Sequence, residues 1–520
     1  MKCALVIPSW IPEDIFSSKT AGSQINYWQP LGTLYVASSL MKAGHEVIFL
    51  NGAFMTHSRI LKELIEFSPD VAGIYSTAFG WKKAMFMASE IRRGEKNGHS
   101  KNPPSSPFVK GGECSSLSLS REVRGVSPTL KKGGEGGFDN VFIVVGGPYP
   151  IAMQEKCLED SQDIDAVVTG EGEITLVEML ERISQGKSLE GVEGLVFRAR
   201  DKIIKNSPRP LINDLDSLPF PARELLGDAG SYIPPPATFK RKPVAVIMTS
   251  RGCNRKCLYC FQIDKTRKSG IRFRSVENVM QEIELCLKQG YREIKFIDDT
   301  LAADYDRAMQ IANEITKRRL DFTWFASACV NQVDYNLLKA FKDAGCWAIL
   351  FGAESGVQKD LNAIKKGITL EQTCKAVKAA KDAGLTVHTP FLFGIPGQTY
   401  EDGLKSIEFA CEINPDIANF HAITPFPGSE LYDNLDKYGT MSNDLNDFTY
   451  QGAAFVPFSM TRDEITKLRQ IAFKKFYSRP GYVFGRLLKL RSMNDISAAL
   501  KGVKSLFWIF VKKDIFHRSK

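Results

Sequence analysis

Short runs of apolar residues alternate with amphipathic stretches along the first 185 residues of the chain. The runs CALVIPSW, EVIFL, VAGIYST, VFIVVGG and AVVTG have the length and composition of buried strands. Between them, LGTLYVASSLMKAGH, ILKELIEF and ITLVEMLERI have helical spacing. Strands that alternate with helices predict a parallel, doubly wound, Rossmann-like α/β sheet.

The carboxyl ends of these strands carry glycines. Ligands of doubly wound sheets bind outside the carboxyl ends of the strands, and glycine has no side chain to block their approach. We therefore expect a ligand near five residues in two short segments, which are Gly146, Gly147, Gly170, Glu171 and Gly172.

A second series of strands and helices begins after Lys242. Its strands are AVIMTS, EIKFIDDT, FTWFASACV, AILFGAES, VHTPFLFGIP and NFHAITPF. One intervening helix is expected to start after Ser275 and end near Gly290, and another to start with a capping box from Thr369 to Gln372. Six strand–helix units predict an open, TIM-like (β/α)6 barrel with its chemistry at the carboxyl ends of the strands.

These patterns divide the chain into four predicted parts. They are an α/β domain at 1–193, a hairpin and linker at 194–242, the barrel at 243–435, and a basic, mostly helical region at 436–520. Residues 94–138 are rich in Gly, Ser, Pro and Lys and have no periodicity. They predict a disordered surface insertion without a functional role.

Composition and charge indicate the cellular compartment and two possible roles for the basic tail. Eleven cysteines with no signal peptide indicate a reducing cytoplasm, and no apolar run approaches the roughly 20 residues of a membrane span. From Arg462 onward there are fifteen Lys and Arg against four Asp and Glu. The tail is either a helical cap on the barrel or an amphipathic surface resting on the inner membrane face. Nucleic-acid binding is not expected, because no base-stacking or groove-reading motif accompanies the charge.

The segment SRGCNRKCLYCF places Cys253, Cys257 and Cys260 within eight positions. Polar and cationic neighbours argue against plain core packing, and a structural zinc site normally needs a fourth ligand that is not nearby in the sequence. Three thiolates on an iron–sulfur cluster would leave one iron open to a substrate or cofactor. Of the three alternatives, a cluster is favoured, and the flanking cations would help keep the thiols deprotonated.

This spacing at the end of a first barrel strand, with an aromatic residue before the last cysteine, resembles the radical S-adenosylmethionine (SAM) superfamily. The resemblance implies a [4Fe–4S] cluster on the three cysteines, SAM at its open iron, and reductive cleavage of SAM to a hydrogen-abstracting radical. In one subgroup an arginine near the end of strand three is common, whereas this chain has SACVNQVD there. The SAM contacts that the resemblance implies are Tyr259, Asp298, Asp299, Glu354, Ser355, Gly394, Ile395 and Pro396.

An α/β sheet ahead of such a barrel resembles the cobalamin-binding subgroup of the superfamily. The resemblance implies a cobalamin-dependent C-methyltransferase, with cobalamin contacted by the five residues named above for the sheet. The chain lacks the Asp-x-His-x-x-Gly motif, so the cobalamin would have no lower axial histidine.

The expected partners are a small-molecule substrate, which the basic tail suggests is lipid-like, and an electron donor such as a flavodoxin or ferredoxin. Two alternatives stay open. One is a non-methylating enzyme like the anaerobic oxidative cyclases of tetrapyrrole synthesis, which share this architecture. The other is a non-catalytic iron–sulfur or corrinoid sensor, which would need no SAM pocket.

Overall fold

A computed structural model describes most of the chain as two compact units. The first unit comprises Met1–Ser9 and Val36–Pro210, and the second comprises Trp10–Tyr35 and Leu211–Lys520. The predicted insertion at 94–138 and the end of the basic tail lie outside the described residues. The described ranges are 1–10, 27–93, 141–235, 238–264, 269–442 and 453–488.

The first unit contains a seven-stranded sheet in the order β2-β1-β3-β4-β5-β6-β7, in which β1 to β5 pair in parallel. The strands are β1 (Lys2–Ile7), β2 (Glu46–Asn51), β3 (Val71–Tyr75), β4 (Phe142–Gly146), β5 (Ala166–Val168), β6 (Leu195–Ala199) and β7 (Lys202–Lys205). The helices up to residue 184 are α1 (Leu31–Lys42), α2 (His57–Phe67), α3 (Trp81–Arg93), α4 (Pro148–Met153), α5 (Glu155–Asp160) and α6 (Gly172–Ser184).

Apolar side chains of the parallel strands and of the flanking helices form the core of the first unit. Val6 of β1 and Ile143 of β4 are buried with Leu64 of α2 and Met87 of α3. Each strand is a continuous apolar run because both faces of the sheet are covered. The predicted doubly wound α/β sheet is confirmed.

The predicted hairpin at 194–209 is β6 and β7, but its place in the fold differs from the prediction. β6 pairs antiparallel with β5, with Val196 opposite Val167, so the hairpin extends the first sheet. The sequence pattern predicts the hairpin as part of the linker region at 194–242. The pairing of β6 with β5 assigns the hairpin to the first unit. This pairing is not visible in the local sequence pattern because it is made by backbone atoms.

The second unit is built on six parallel strands in the order β15-β14-β13-β12-β11-β8, so β15 and β8 are open edges. Its strands, including two antiparallel pairs, are β8 (Val244–Ile247), β9 (Ser250–Arg251), β10 (Arg272–Phe273), β11 (Glu293–Phe296), β12 (Thr323–Ala328), β13 (Cys346–Phe351), β14 (Thr386–Phe393), β15 (Ile417–Ala422), β16 (Gly439–Met441) and β17 (Phe455–Pro457). This is the predicted open barrel.

Helices connect the barrel strands and follow them. They are α7 (Val276–Lys288), α8 (Tyr305–Lys317), α9 (Tyr335–Asp343), α10 (Gln358–Ala363), α11 (Leu370–Asp382), α12 (Tyr400–Ile413), α13 (Glu430–Asp433), α14 (Leu435–Tyr438), α15 (Arg462–Tyr477) and α16 (Pro480–Leu488). Short 3-10 turns occupy Leu215–Ser217, Arg223–Leu226, Ala229–Ser231 and Leu301–Ala303.

Local capping fixes two of these helix starts as predicted. The hydroxyl of Ser275 accepts a hydrogen bond from the amide of Asn278 at 3.1 Å, which starts α7. Thr369 and Gln372 form the predicted capping box of α11. Each cap satisfies amide groups that the first helical turn leaves without a partner.

A glutamine covers the open edge of β8. The carboxamide of Gln29 donates to the carbonyl of Val244 (3.3 Å) and accepts from the amide of Val246 (3.1 Å), as a neighbouring strand would. It also donates to the hydroxyl of Tyr291 at 3.0 Å. Such contacts cover a strand edge that would otherwise be exposed. Residues 27–35 belong to the second unit, whereas the sequence pattern predicts them as part of the first domain.

The described part of the basic tail packs on the barrel. Leu468 and Phe476 of α15 are fully buried, and the hydroxyl of Tyr477 donates to the carbonyl of Ala418 in β15 at 2.8 Å. These residues form the helical cap that one of the two interpretations predicted. Within the described residues, no helix is long and apolar enough to cross a bilayer.

Candidate active site

Asp298 holds the backbone that leads into the cysteine loop. Its Oδ1 accepts from the amide (3.0 Å) and hydroxyl (2.8 Å) of Thr249 and from the hydroxyl of Ser250 (2.5 Å). Burial raises the pKa of Asp298, and these hydrogen bonds oppose the increase. Because Oδ1 is used in this way, the predicted contact of Asp298 with SAM would fall on the buried Oδ2, which has no hydrogen-bond partner among the described residues. Asp299, the other predicted contact, is exposed beside it.

Arg255 anchors the middle of the cysteine loop. Its guanidinium donates to the carbonyl of Gly367 at 2.9 Å and to the side chain of Asn331, which follows β12. Asn331 lies in the segment where the sequence analysis noted a missing arginine. A guanidinium is therefore present beside the end of strand three, but it comes from the cysteine loop.

The three thiols differ in exposure and share an electrostatic environment. Cys257 is buried, whereas Cys253 and Cys260 are partly exposed. Burial raises the pKa of Cys257 to about 11, and the ammonium of Lys366 opposes that increase. That cations within the loop act on the thiols stays a prediction; Arg251 lies over the ring of Tyr35 at 5.1 Å, and the cation that acts on Cys257 is Lys366.

The donor set fits an iron–sulfur cluster. Three soft thiolate donors come from one loop, and Cys253 and Cys260 are close enough to Cys257 for their charges to raise its pKa. Across the described residues, no group of three His, Cys, Asp or Glu side chains is already arranged to hold a metal ion, and this includes the three cysteines. The three thiols lie near one another in one loop. Their side chains would have to move closer together to bind a cluster.

Glu354 brings charge to the mouth of the barrel. It is 5% exposed, and Lys366 Nζ lies 2.6 Å from its Oε1. Burial, with the negative charge of Glu354 second, raises the pKa of Tyr259 well above its usual value. The φ angle of Glu354 is +61°, a conformation that costs about 1 kcal/mol or more in a residue other than glycine and is common at functional sites.

A buried hydrogen-bond network joins the two predicted SAM turns. The hydroxyl of Ser355 donates to Asp360 (2.8 Å), Gln398 donates to the same carboxylate oxygen (2.8 Å), and the amide of Gly394 donates to Gln398 (2.9 Å). Ser355 is fully buried, and its hydroxyl is already used in this network. Its contact with SAM stays a prediction, and these hydrogen bonds do not favour it.

The turn after β14 presents its backbone. Ile395 and Pro396 are buried, and Gly394 has a φ of +78°. A Cβ on Gly394 would lie 3.0 Å from a side-chain carbon of Ile465 in α15, so glycine is needed here. The predicted contact of these three residues with SAM is therefore one that backbone atoms would make.

The glycines of the first sheet fall into two groups. Gly147 has a φ of +103°, and a Cβ on it would lie 2.6 Å from the carbonyl oxygen of Ser76, so packing of the protein requires glycine there. Gly172, at the start of α6, is likewise close-packed, and Glu171 is buried. Gly170 has no atom within 4 Å of its Cβ position, which leaves space for a ligand. Gly146 is almost as open, with the nearest atom at 3.9 Å. These two open positions fit the backbone approach predicted for cobalamin.

Comparison with known proteins decides the family. The profile of the radical SAM superfamily matches residues 247–410, from β8 into α12. An uncharacterized methyltransferase of Pyrococcus horikoshii is 32% identical over 520 residues, which covers 98% of this chain and 99% of that relative. The chain therefore belongs to the radical SAM superfamily. It is an enzyme of that superfamily, for which the [4Fe–4S] cluster and SAM are the expected cofactors of the cysteine loop.

Two more known proteins resemble most of the chain. The anaerobic magnesium-protoporphyrin IX monomethyl ester cyclase of Rubrivivax gelatinosus is 24% identical over 88% of this chain and 75% of its own length. The solved structure of the cobalamin-dependent radical enzyme OxsB, with aqua-cobalamin and SAM bound, has a TM-score of 0.69 over 97% of this chain and 71% of OxsB, at 16% identity. The likeness to OxsB shows a common fold.

Replacing Glu354 with glutamine is expected to weaken SAM binding by about 10- to 100-fold, as loss of a supporting residue does at metal sites. The change removes the negative charge that pairs with Lys366. Binding of SAM to the reconstituted protein, measured by equilibrium dialysis, checks this.

Glu430→Gln is the matched control. It breaks an exposed pair with Lys365, the residue next to Lys366. We expect its SAM affinity to stay within about twofold of wild type, because exposed pairs contribute little. Equal affinities for Glu354→Gln and wild type would show that Glu354 has no part in the SAM site.

Proposed function

We propose that this radical SAM enzyme is a cobalamin-dependent C-methyltransferase. The observation that carries the proposal is the 32% identity, along 98% of the chain, to a protein named a methyltransferase. The fold shared with OxsB, which was solved with both aqua-cobalamin and SAM, supports two cofactors in one chain. The open positions at Gly146 and Gly170 support an approach of cobalamin to the first sheet.

Each part of the chain has a role in this proposal. Bound to Cys253, Cys257 and Cys260, the reduced cluster would supply the electron that cleaves SAM into methionine and a 5′-deoxyadenosyl radical. Asp298 keeps the loop that carries these cysteines in place, and Glu354 offers a carboxylate fixed by Lys366. Tyr259, the aromatic residue before the last cysteine, packs partly buried against the barrel core.

The proposal is tested with anaerobically reconstituted protein, dithionite as reductant, and SAM labelled with a trideuterated methyl group. We expect 5′-deoxyadenosine in the reaction, a corrinoid in the protein extract, and deuterated methyl groups in a product. Absence of 5′-deoxyadenosine from cluster-loaded protein would refute radical SAM activity. Its formation with no corrinoid bound, even after incubation with hydroxocobalamin, would refute the dependence on cobalamin.

The second candidate is a non-methylating oxidative enzyme. The similarity to the Rubrivivax cyclase over 88% of the chain favours it. Its distinguishing result is a product that has lost hydrogen and carries no deuterated methyl group. A non-catalytic sensor, the third class, is disfavoured because the chain belongs to a superfamily of enzymes.

We also propose that the basic tail contacts a membrane. A lipid-like substrate would follow from that contact. The support is the excess of fifteen basic over four acidic residues from Arg462 onward. Co-sedimentation with anionic liposomes at low salt is expected, and failure to sediment would remove both ideas.

A further inference from the structure

The inner face of the barrel opens toward the carboxyl ends of its strands. Ile294 and Phe296 of β11 point into the core beneath the helices, so Lys295 and Ile297 point to the opposite, inner face. Farther along the strands the inner positions are open. Ile297 is 39% exposed, and Ser327 of β12 and Leu350 of β13 are partly exposed. Solvent therefore reaches inner side chains in the layer directly above Lys295.

Lys295 carries its amino group into this inner space without an acceptor. The side chain is 9% exposed, and its Nζ lies 2.9 Å from the centroid of the Phe325 ring. Its strand neighbours are Val246 and Phe325, and no hydrogen bond or ion pair to Lys295 occurs within the described residues. Burial lowers the pKa of Lys295 to about 7. A buried ammonium without an acceptor is unfavourable for folding, which is why such lysines are usually paired.

The acid on the same face of β11 is already occupied. Glu293 accepts from the indole of Trp347 (2.6 Å), from the hydroxyl of Thr323, and from the amides of Lys240 and Arg241 (3.2 and 3.1 Å). These donors surround the carboxylate at the amino-terminal end of the strands. Lys295, two residues closer to the mouth, therefore makes no ion pair with Glu293, although the charge of Glu293 partly opposes the decrease in the pKa of Lys295.

Further polar groups line the inner face above Lys295. Ser327 faces inward because its neighbours Ala326 and Ala328 are in the core, and Asn419 of β15 does so for the same reason. Both side chains are partly exposed, and neither makes a side-chain hydrogen bond within the part of the chain that is described. His388 lies edge-on against Phe325 at 5.0 Å. The amino group of Lys295 and the hydroxyl of Ser327 thus face the same side of two neighbouring strands, an arrangement that suits an anionic ligand.

We propose that the barrel binds the substrate by an oxyanion, a carboxylate or a phosphate, held against Lys295 and Ser327 on adjacent strands. This inference names the substrate class of the proposed methyltransferase and rests on that function. Asp299 follows Lys295 by four residues, and four residues of parallel strand span about 13 Å. The acidic group would therefore lie deep in the barrel, and the rest of the substrate would extend toward the cysteine loop.

The test uses wild type and Lys295→Met with trideuteromethyl SAM and a small-molecule extract of the cells that make this protein, separated on an anion exchanger. We expect the deuterated methyl group in a compound of the bound fraction. In Lys295→Met, the ratio of labelled product to 5′-deoxyadenosine should fall at least tenfold, with partial recovery at higher concentrations of the bound fraction. Phosphatase treatment of that fraction distinguishes the two sources, because only a phosphate substrate would be lost.

Label confined to the unbound fraction, or an unchanged ratio in Lys295→Met, would overturn the inference and leave the methyltransferase proposal standing. Absence of 5′-deoxyadenosine in wild type would instead remove both. Lys339→Met, an exposed lysine paired with Asp343 on α9, is the control and should leave the ratio unchanged.

Thermal unfolding gives an answer that does not depend on the substrate. If Lys295 is kept for a ligand, Lys295→Met should have a melting temperature equal to or above that of wild type, because methionine removes a buried ammonium that has no acceptor. A fall of more than about 5 °C would show that the contact with Phe325 is structural and would overturn the inference.

Discussion

Cys257→Ala is expected to reduce cleavage of SAM to the background of protein without a cluster, a loss of at least about a thousandfold. Cys257 is the most buried of the three thiols and the one on which Lys366 acts. Removing it leaves two ligands for a cluster that needs three from the loop. The measurements are iron and sulfide content after anaerobic reconstitution, and 5′-deoxyadenosine formed with dithionite and SAM.

Cys374→Ala is the control for this change. Cys374 is a partly buried cysteine of α11 that packs against the barrel core and lies outside the cysteine loop. We expect its iron content and its yield of 5′-deoxyadenosine to stay within about twofold of wild type. Wild-type iron and activity in Cys257→Ala would exclude the cysteine loop as the cluster site. Zinc in place of iron in freshly isolated wild type would favour the zinc alternative.

The parts of the fold that could be predicted are those with local causes. The strand beginning at Val244 is an apolar run, and the starts of α7 and α11 follow from the side chains of Ser275 and Thr369 acting within one helical turn. The place of the hairpin and of Gln29 could not be found in this way. Gln29 is 215 residues away from Val244 in the sequence, and its partner is a backbone edge that carries no side-chain signal.

The same distinction holds in the active site. Three cysteines within eight residues are visible because one loop supplies all the thiols. Lys366 and Gln398 carry no such pattern, and their roles depend on turns that follow different strands. Sequence proximity did not reveal the cation that acts on Cys257, because Lys366 lies more than a hundred residues from it in the sequence. Lys366 follows Glu354 by twelve residues, and this spacing indicates an ion pair only when the structure of the intervening turn is known.

A buried charged triad joins the linker to the barrel. Glu282 of α7 is fully buried, and its two oxygens accept from Arg223 of the linker at 2.6 Å and from Arg274, which follows β10. The guanidinium groups also bond to backbone carbonyls of the first barrel segment, Arg223 to Val246 (2.7 Å) and Arg274 to Met248 (3.0 Å). One carboxylate therefore balances two buried cations beside the strand that leads to the cysteine loop.

Glu282→Gln is expected to destabilise the protein by about 3 to 5 kcal/mol, because it leaves two guanidinium groups buried without their counter-charge. For a unit of this size, that loss corresponds to a fall of roughly 10 °C in the melting temperature. Thermal unfolding under anaerobic conditions, followed by circular dichroism, measures it.

Glu314→Gln provides the matched comparison, since it also removes one acid from a cluster with arginine. Glu314 shares Arg318 with Glu277 and Glu284, but these side chains are 24–60% exposed. Water can solvate Arg318 when one acid is lost, so the expected cost is at most about 1 kcal/mol. Equal melting temperatures for Glu282→Gln and Glu314→Gln would mean that the burial of the triad does not determine how much the triad contributes to stability. The linker would then have to be held to the barrel chiefly by its apolar contacts.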